Sequence, residues 1–217
     1  MGTAERKELE REIRKNDIID AAERVFFSKG FEASTMDDVA KVAEFSKRTL
    51  YVYFKSKEQI NFEIMVRGYR ILLERMETVF LAEEHSNSLE KIKAMGRVMA
   101  DFSEEYYYYF NAIGEYENFQ SDFSEEKDEA REECYALGEK LLGLLFTTLQ
   151  SGRAEGLIRD DIDLANQGIV IWSALYGILK NLQIKKRYLE HYHHKNKQDI
   201  IEDALKMIEG AIIKNEG

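Results

Sequence analysis

Apolar residues recur every three or four positions along most of this chain, the spacing of helices that each bury one face. Ile18, Ala22, Val25 and Phe26 set the first stripe, over residues 16–29. Gly30 follows as a left-handed cap, and Phe31 can fold back on the last turn. Thr35, with Asp38 three residues on, opens a short second helix over 36–42 that turns Met36, Val39 and Ala40 inward. Ser46 caps a third over 47–53. Residues 56–59, Ser-Lys-Glu-Gln, form a capping box for a fourth, whose apolar positions run from Ile60 and Ile64 to Phe80.

A break is expected over 82–88. From Leu89 a long helix carries Ile92, Met95, Met99, Phe102, Tyr106, Tyr109 and Ile113. Residues 111–123 read as an irregular or short helical link, and 124–151 as another long helix with acids crowding its first turns, as the helix dipole favours. Asp163 caps a helix to about 185, a polar loop covers 188–196, and 197–214 close the chain as an amphipathic helix. About nine helices result. The fold class is all-α, a three-helix head over 1–60 on a larger helical body over 61–217. Composition agrees. The 217 residues include no proline, where ordinary usage would place about 11, so nothing forbids helix interiors.

The net charge of −10 argues against a nucleic-acid partner until it is divided. Residues 1–60 hold 12 Lys/Arg and 12 Asp/Glu, whereas 61–217 hold 19 and 29. Within 46–57 the charges are Lys47, Arg48, Lys55 and Lys57, with no acid. Binding depends on the local patch more than on the total. In the third helix Leu50 and Phe54, four apart, should face the core and leave Lys47, Arg48, Thr49, Tyr51 and Tyr53 outward. That is the layout of a helix laid into the DNA major groove. Lys or Arg can reach guanine edges, and Thr or an aromatic ring a thymine methyl. Lys57, at a helix N-terminus, is placed for a phosphate. The charged residues 5–15, with Arg6, Lys7, Arg11, Arg14 and Lys15, either touch phosphates too or form a solvated, frayed end.

This head resembles that of the tetracycline-repressor (TetR) family of bacterial transcription regulators. The resemblance covers 18 to about 62 and rests on Ile18, Ala21, Ala22, Phe26, Gly30, Ser34, Thr35, Val39, Ala40, Ala43, Ser46, Thr49, Leu50, Tyr51, Tyr53, Phe54, Lys57 and Glu58. It implies a DNA-facing set of Thr35, Lys47, Arg48, Thr49, Tyr51, Tyr53 and Lys57, with Tyr51 and Lys57 mainly on phosphate. Two positions depart from the family pattern. Glu44 stands where glycine is usual, so the turn must take its positive φ without that help, and Arg48 stands where a small residue is frequent.

The same resemblance implies a body that dimerises and encloses an effector. The helix after Asp163 is apolar nearly all round, which calls for burial on all sides. With the last helix it would form a four-helix bundle across a two-fold axis through Ile171, Ala174, Ile178, Leu205, Ile208 and Ile212; the other reading places it in one subunit's core. An effector pocket is expected from Met99, Phe102, Tyr106, Tyr109, Phe110, Leu145, Trp172 and Tyr176, for an apolar or aromatic small molecule, although such stripes also make ordinary core. Glu115 or Glu117 could select a cation. His191, His193 and His194 share a loop, but adjacent residues rarely converge on one metal ion. The single Cys134 allows no intrachain disulfide. No apolar run approaches a membrane span, and no phosphate loop, nucleophile elbow or paired metal motif occurs. The expectation is a cytoplasmic, homodimeric repressor of an operator in double-stranded DNA, without enzymatic activity, metal or cofactor. Two alternatives stay open: a helix-turn-helix protein with no small-molecule effector, and an all-helical interaction module with vestigial DNA binding.

Overall fold

The computed structural model describes residues 2–82, 87–118 and 128–214, with only the backbone described for 115–118. The described residues form nine helices: α1 (Thr3–Lys29), α2 (Met36–Val42), α3 (Lys47–Tyr53), α4 (Lys57–Leu81), α5 (Ser88–Glu105), α6 (Tyr107–Asn118), α7 (Glu129–Ala154), α8 (Leu164–His193) and α9 (Lys197–Ile212). Most begin as local chemistry dictates. Thr35, Ser46, Ser56, Asn87, Asp128, Asp163 and Asn196 each accept a hydrogen bond from the free backbone N–H three residues on.

Leu9 and Ile13, four apart, allow the charged segment before residue 16 to run as a helix into the next one, and it does, so α1 starts at Thr3. Two boundaries differ from expectation. The helix expected to run unbroken from Leu89 to Ile113 is two: Tyr106 leaves helical geometry with ψ 44°, and α6 begins at Tyr107. The loop expected over 188–196 shrinks because α8 continues to His193. Its last turns are held by ring contacts of Tyr188 with Tyr192 and His193, centroids 5.3 and 5.1 Å apart, and His194 supplies the left-handed cap at φ 51°. The expectation for Glu115 and Glu117 falls outside the described side chains, and the start expected at residue 124 lies outside the described residues.

Two cores share one helix. Ile18, Ala22, Phe26, Val39, Leu50 and Phe54 form the head core with Ile60 and Ile64 from the start of α4. One residue further on, Met65, Val66, Tyr69 and Leu72 of the same helix belong to the body core with Met95, Phe102, Leu137 and Leu179. Residue 60, where head and body were expected to part, thus lies inside a continuous helix. A third cluster, with Leu149, Ile158, Ile171 and Ile212, closes the far end of the body.

Candidate nucleic-acid interface and apolar cavity

The helix-turn-helix is braced from below. Leu50 is fully buried and Phe54 nearly so, which fixes the roll of α3. Ser46 accepts from the Thr49 amide at 3.0 Å, and its hydroxyl meets that of Thr49 at 2.8 Å. The turn between α2 and α3 passes through Glu44 at φ 57°, the left-handed conformation that its missing glycine would have adopted freely. Glu44→Gly should therefore stabilise the protein by about 0.5–1 kcal/mol, the left-handed cost less glycine's added unfolded-state entropy. Thermal unfolding should show it as a rise of about 1–4 °C; an unchanged midpoint would mean the turn carries no strain.

With α3 so held, Lys47, Arg48 and Tyr51 are exposed, while Thr49 and Tyr53 are half-buried. Val52, 72 % exposed, joins the open face. Its signal in the sequence was its place four residues after Arg48 and off the Leu50–Phe54 side; an apolar group there can meet a thymine methyl. Thr35 is exposed, but its hydroxyl caps α2, donating to Asp38 at 2.7 Å and accepting from the Asp38 amide at 3.2 Å. The Lys29 ammonium and then the Thr35 hydroxyl hold the Asp38 carboxyl down at about 2.

Two lysines are engaged inside the head. Lys57 Nζ donates to the carbonyls of Phe31 and Glu32 at 3.0 and 3.3 Å and sits 4.4 Å from the Phe31 ring, so it ties the end of α1 to the start of α4. An ammonium has three donors, so one proton remains for a phosphate. Lys47 Nζ lies 2.8 Å from Asp37 Oδ1 across the turn, a hydrogen bond that pushes its pKa up. Asp37 thereby opposes any anion that approaches Lys47. Asp37→Asn should tighten DNA binding and steepen its dependence on salt by about one counterion. Equal affinity and equal slope for the two proteins would show that Asp37 does not oppose DNA at Lys47.

The head is joined to the body by α1, α4 and α6. Arg67 of α4 reaches Asp20 at 2.6 Å, Glu23 at 3.1 Å and Asn16 at 3.1 Å. From α6, Tyr109 donates to Glu23 at 2.7 Å, and Tyr108 stacks on Phe27 with centroids 4.6 Å apart. Burial, and then the hydrogen bond to Glu23, raises the Tyr109 phenol above its ordinary range. Gly68 makes this approach possible, since a Cβ there would stand 2.8 Å from Tyr109 Cβ.

The body holds a small cavity of about 40 Å³ between α4, α5, α7, α8 and α9. Its wall is almost entirely apolar, with Met76, Met95, Met99, Leu141, Leu145, Trp172 and Leu205 among the side chains. Met99, Leu145 and Trp172 are the expected pocket residues that the fold brings there. The other five go elsewhere. Phe102 is fully buried and stacks on Tyr106, which lies beneath the Arg75 guanidinium. Tyr109 serves the head joint, and Phe110 packs on Tyr176. Sequence reasoning missed Met76, because it lies on α4, a helix read for its link to the head.

The residues expected between protomers also divide. Ile171, Leu205, Ile208 and Ile212 are buried in the chain's own core, leaving little surface for a partner. Ala174 and Ile178 are half-buried. The apolar side chains left open on α8 and α9 include instead Ile169, Val170, Ile184 and Met207, each more than half exposed. Among the described residues no His/Cys/Asp/Glu group could hold a metal ion, and no helix is long and apolar enough to cross a membrane.

Residues 18–64 match the family described as bacterial regulatory proteins, tetR family. Among curated proteins, the chain is 26 % identical over 178 residues to the HTH-type transcriptional repressor NicS of Pseudomonas putida, covering 81 % of this chain and 80 % of that one. Among solved structures, it is similar to the fatty acid degradation regulator FadR from Bacillus halodurans, with TM-score 0.66, 18 % identity, and 91 % and 95 % of the two chains covered. It is also similar to the transcriptional regulator FadR from Bacillus subtilis in complex with stearoyl-CoA, with TM-score 0.65, 20 % identity, and 88 % and 96 % covered.

Proposed function

We propose that this chain, whose residues 18–64 match the tetR family of bacterial regulatory proteins, is a transcriptional repressor of that family, a homodimer that binds operator DNA through α3 and is released by an apolar small molecule. The observation that carries the reading is the open face of α3. Lys47, Arg48, Tyr51 and Val52 project from a seven-residue helix whose opposite side is locked by Leu50. Arg48 and Lys47 are suited to base edges, and Tyr51 and Lys57 to phosphates, with Thr35, Thr49 and Tyr53 at the margins. Residues 1–60 would carry the DNA contacts, and 61–217 the effector and dimer contacts. The open apolar side chains of Ile169, Val170, Ile184 and Met207 support a second copy of the chain as their cover. The reading is of a cytoplasmic regulator, not an enzyme.

The cavity supports an effector whose buried part is mainly apolar, since almost all of its wall is apolar. Ligand sites usually measure about 300–1,000 Å³, so the wall must move, and the three methionines are the side chains best able to do so. The bound long-chain acyl group of the Bacillus subtilis FadR structure agrees with that chemistry. Met76 lines the cavity on the helix whose Ile60 packs in the head, so a shift of α4 would reach both. The effector acts only through its different affinity for the two states.

Selection of bound fragments from random duplex DNA, repeated across a salt series, tests the reading. An enriched palindrome, bound at least tenfold more weakly by Arg48→Ala and Tyr51→Ala, is the expected result. Weak binding without enrichment, indifferent to those substitutions, would leave the head vestigial. Release of the selected operator by long-chain acyl compounds, and not by short polar acids, is expected for the effector.

A further inference from the structure

We propose that the helical arm at the start of α1 is a second DNA-contacting element, one that grips backbone phosphates outside the base pairs read by α3. The inference rests on the DNA-binding reading above and adds a site to it. The arm, residues 3–15, precedes the matched family segment at 18–64 and lies outside the head core, with every residue from 3 to 14 exposed. Its charges are sorted by face. At 3.6 residues per turn, Lys7, Arg11, Arg14 and Lys15 fall within a sector of about 100°. Glu5, Glu8 and Glu12 fall together in a separate sector, and Leu9 and Ile13 in a third.

The basic sector continues the buried face of α1, where Ile18, Ala22 and Val25 pack toward α2, α3 and α4. Lys15 shows the direction, since it turns to Glu63 of α4 at 2.6 Å. The three basic residues beyond it project past the edge of the head on that same side. Among the described residues Lys7, Arg11 and Arg14 meet no acid, although the chain carries a net charge of −10 and the arm's own Arg6 pairs with Glu10. An α-helix from Lys15 back to Lys7 spans about 12 Å. That length matches about four base pairs of duplex at 3.4 Å each. Arg and Lys at i, i+4 and i+7 offer a row of point contacts and no shaped pocket, which suits a repeating phosphate chain and carries no sequence information.

The test uses the full-length protein and the operator obtained by selection. Affinity is measured against salt for the wild type, for the triple variant Lys7→Gln, Arg11→Gln, Arg14→Gln, and for the acid-face variant Glu5→Gln, Glu8→Gln, Glu12→Gln. Each phosphate contact adds about 0.9 to the logarithmic salt slope. The basic-face variant should lose about 2–3 from the slope per arm in contact and bind at least tenfold more weakly at low salt. Its base preference should stay the same, and its hydroxyl-radical footprint should shorten by about four base pairs at each outer edge. The acid-face variant, with equal helix propensity, should keep the footprint and bind at least as tightly. If both variants weaken binding equally, the arm acts through its fold and the proposal fails. An unchanged slope and footprint in the basic-face variant overturns the arm alone. A wild type without salt-dependent DNA affinity overturns the arm and the repressor reading together.

Discussion

Replacing Leu50 by alanine should abolish operator binding without removing any group that touches DNA. Leu50 has no exposed surface and is the one fully buried side chain of α3. A helix of seven residues has no stability of its own in water, so α3 exists because Leu50 and Phe54 anchor it among Ile18, Val39 and Ile60. Truncating a buried leucine costs about 2–5 kcal/mol, through lost transfer energy and the cavity left behind. The head has a small core, so this is a large part of what holds it. Hydrogen exchange separates the explanation from a lost contact: amides of α3 should exchange about 30-fold to several thousand-fold faster. Amides in the second half of α4 should change far less, since from Met65 onward that helix packs in the body core. Unaltered exchange in α3 with operator binding lost would mean that Leu50 does not anchor the helix.

Phe102→Ala should give the largest loss of global stability. Phe102 is the largest of the fully buried side chains, with its ring stacked on Tyr106 at 5.4 Å. Tyr106 in turn lies under Arg75, whose guanidinium reaches Glu105 at 2.8 Å. Removing the phenyl ring takes away the floor of this stack at the point where α5 ends and α6 begins. The expected cost is about 3–5 kcal/mol, or a fall in melting temperature of about 6–20 °C for a chain of this length. Calorimetry on the ligand-free protein measures it. A small fall, together with weakened effector binding, would place Phe102 in a ligand wall instead of in the core.

Helix identity and head pattern were legible in the residues because both are short-range. A cap reaches three residues, an apolar stripe repeats within four, and Thr35, Ser46, Leu50 and Phe54 announce the helix-turn-helix in that local grammar. Partners far apart in the chain carry no such signal. Four consecutive tyrosines point about 100° apart around a helix. Only the packed fold decided that Tyr106 meets Arg75, Tyr108 meets Phe27 and Tyr109 meets Glu23, while Tyr107 packs edge-on against Tyr108. Likewise Lys57 and Lys47 read as free cations until the fold set the Phe31 carbonyl and the Asp37 carboxylate beside them. Apolar stripes announced that α5, α8 and α9 bury a face. They did not say which neighbour covers it, because hydrophobic burial has no direction. The cavity wall and the uncovered side chains of Ile169, Val170, Ile184 and Met207 therefore emerged only from the tertiary structure.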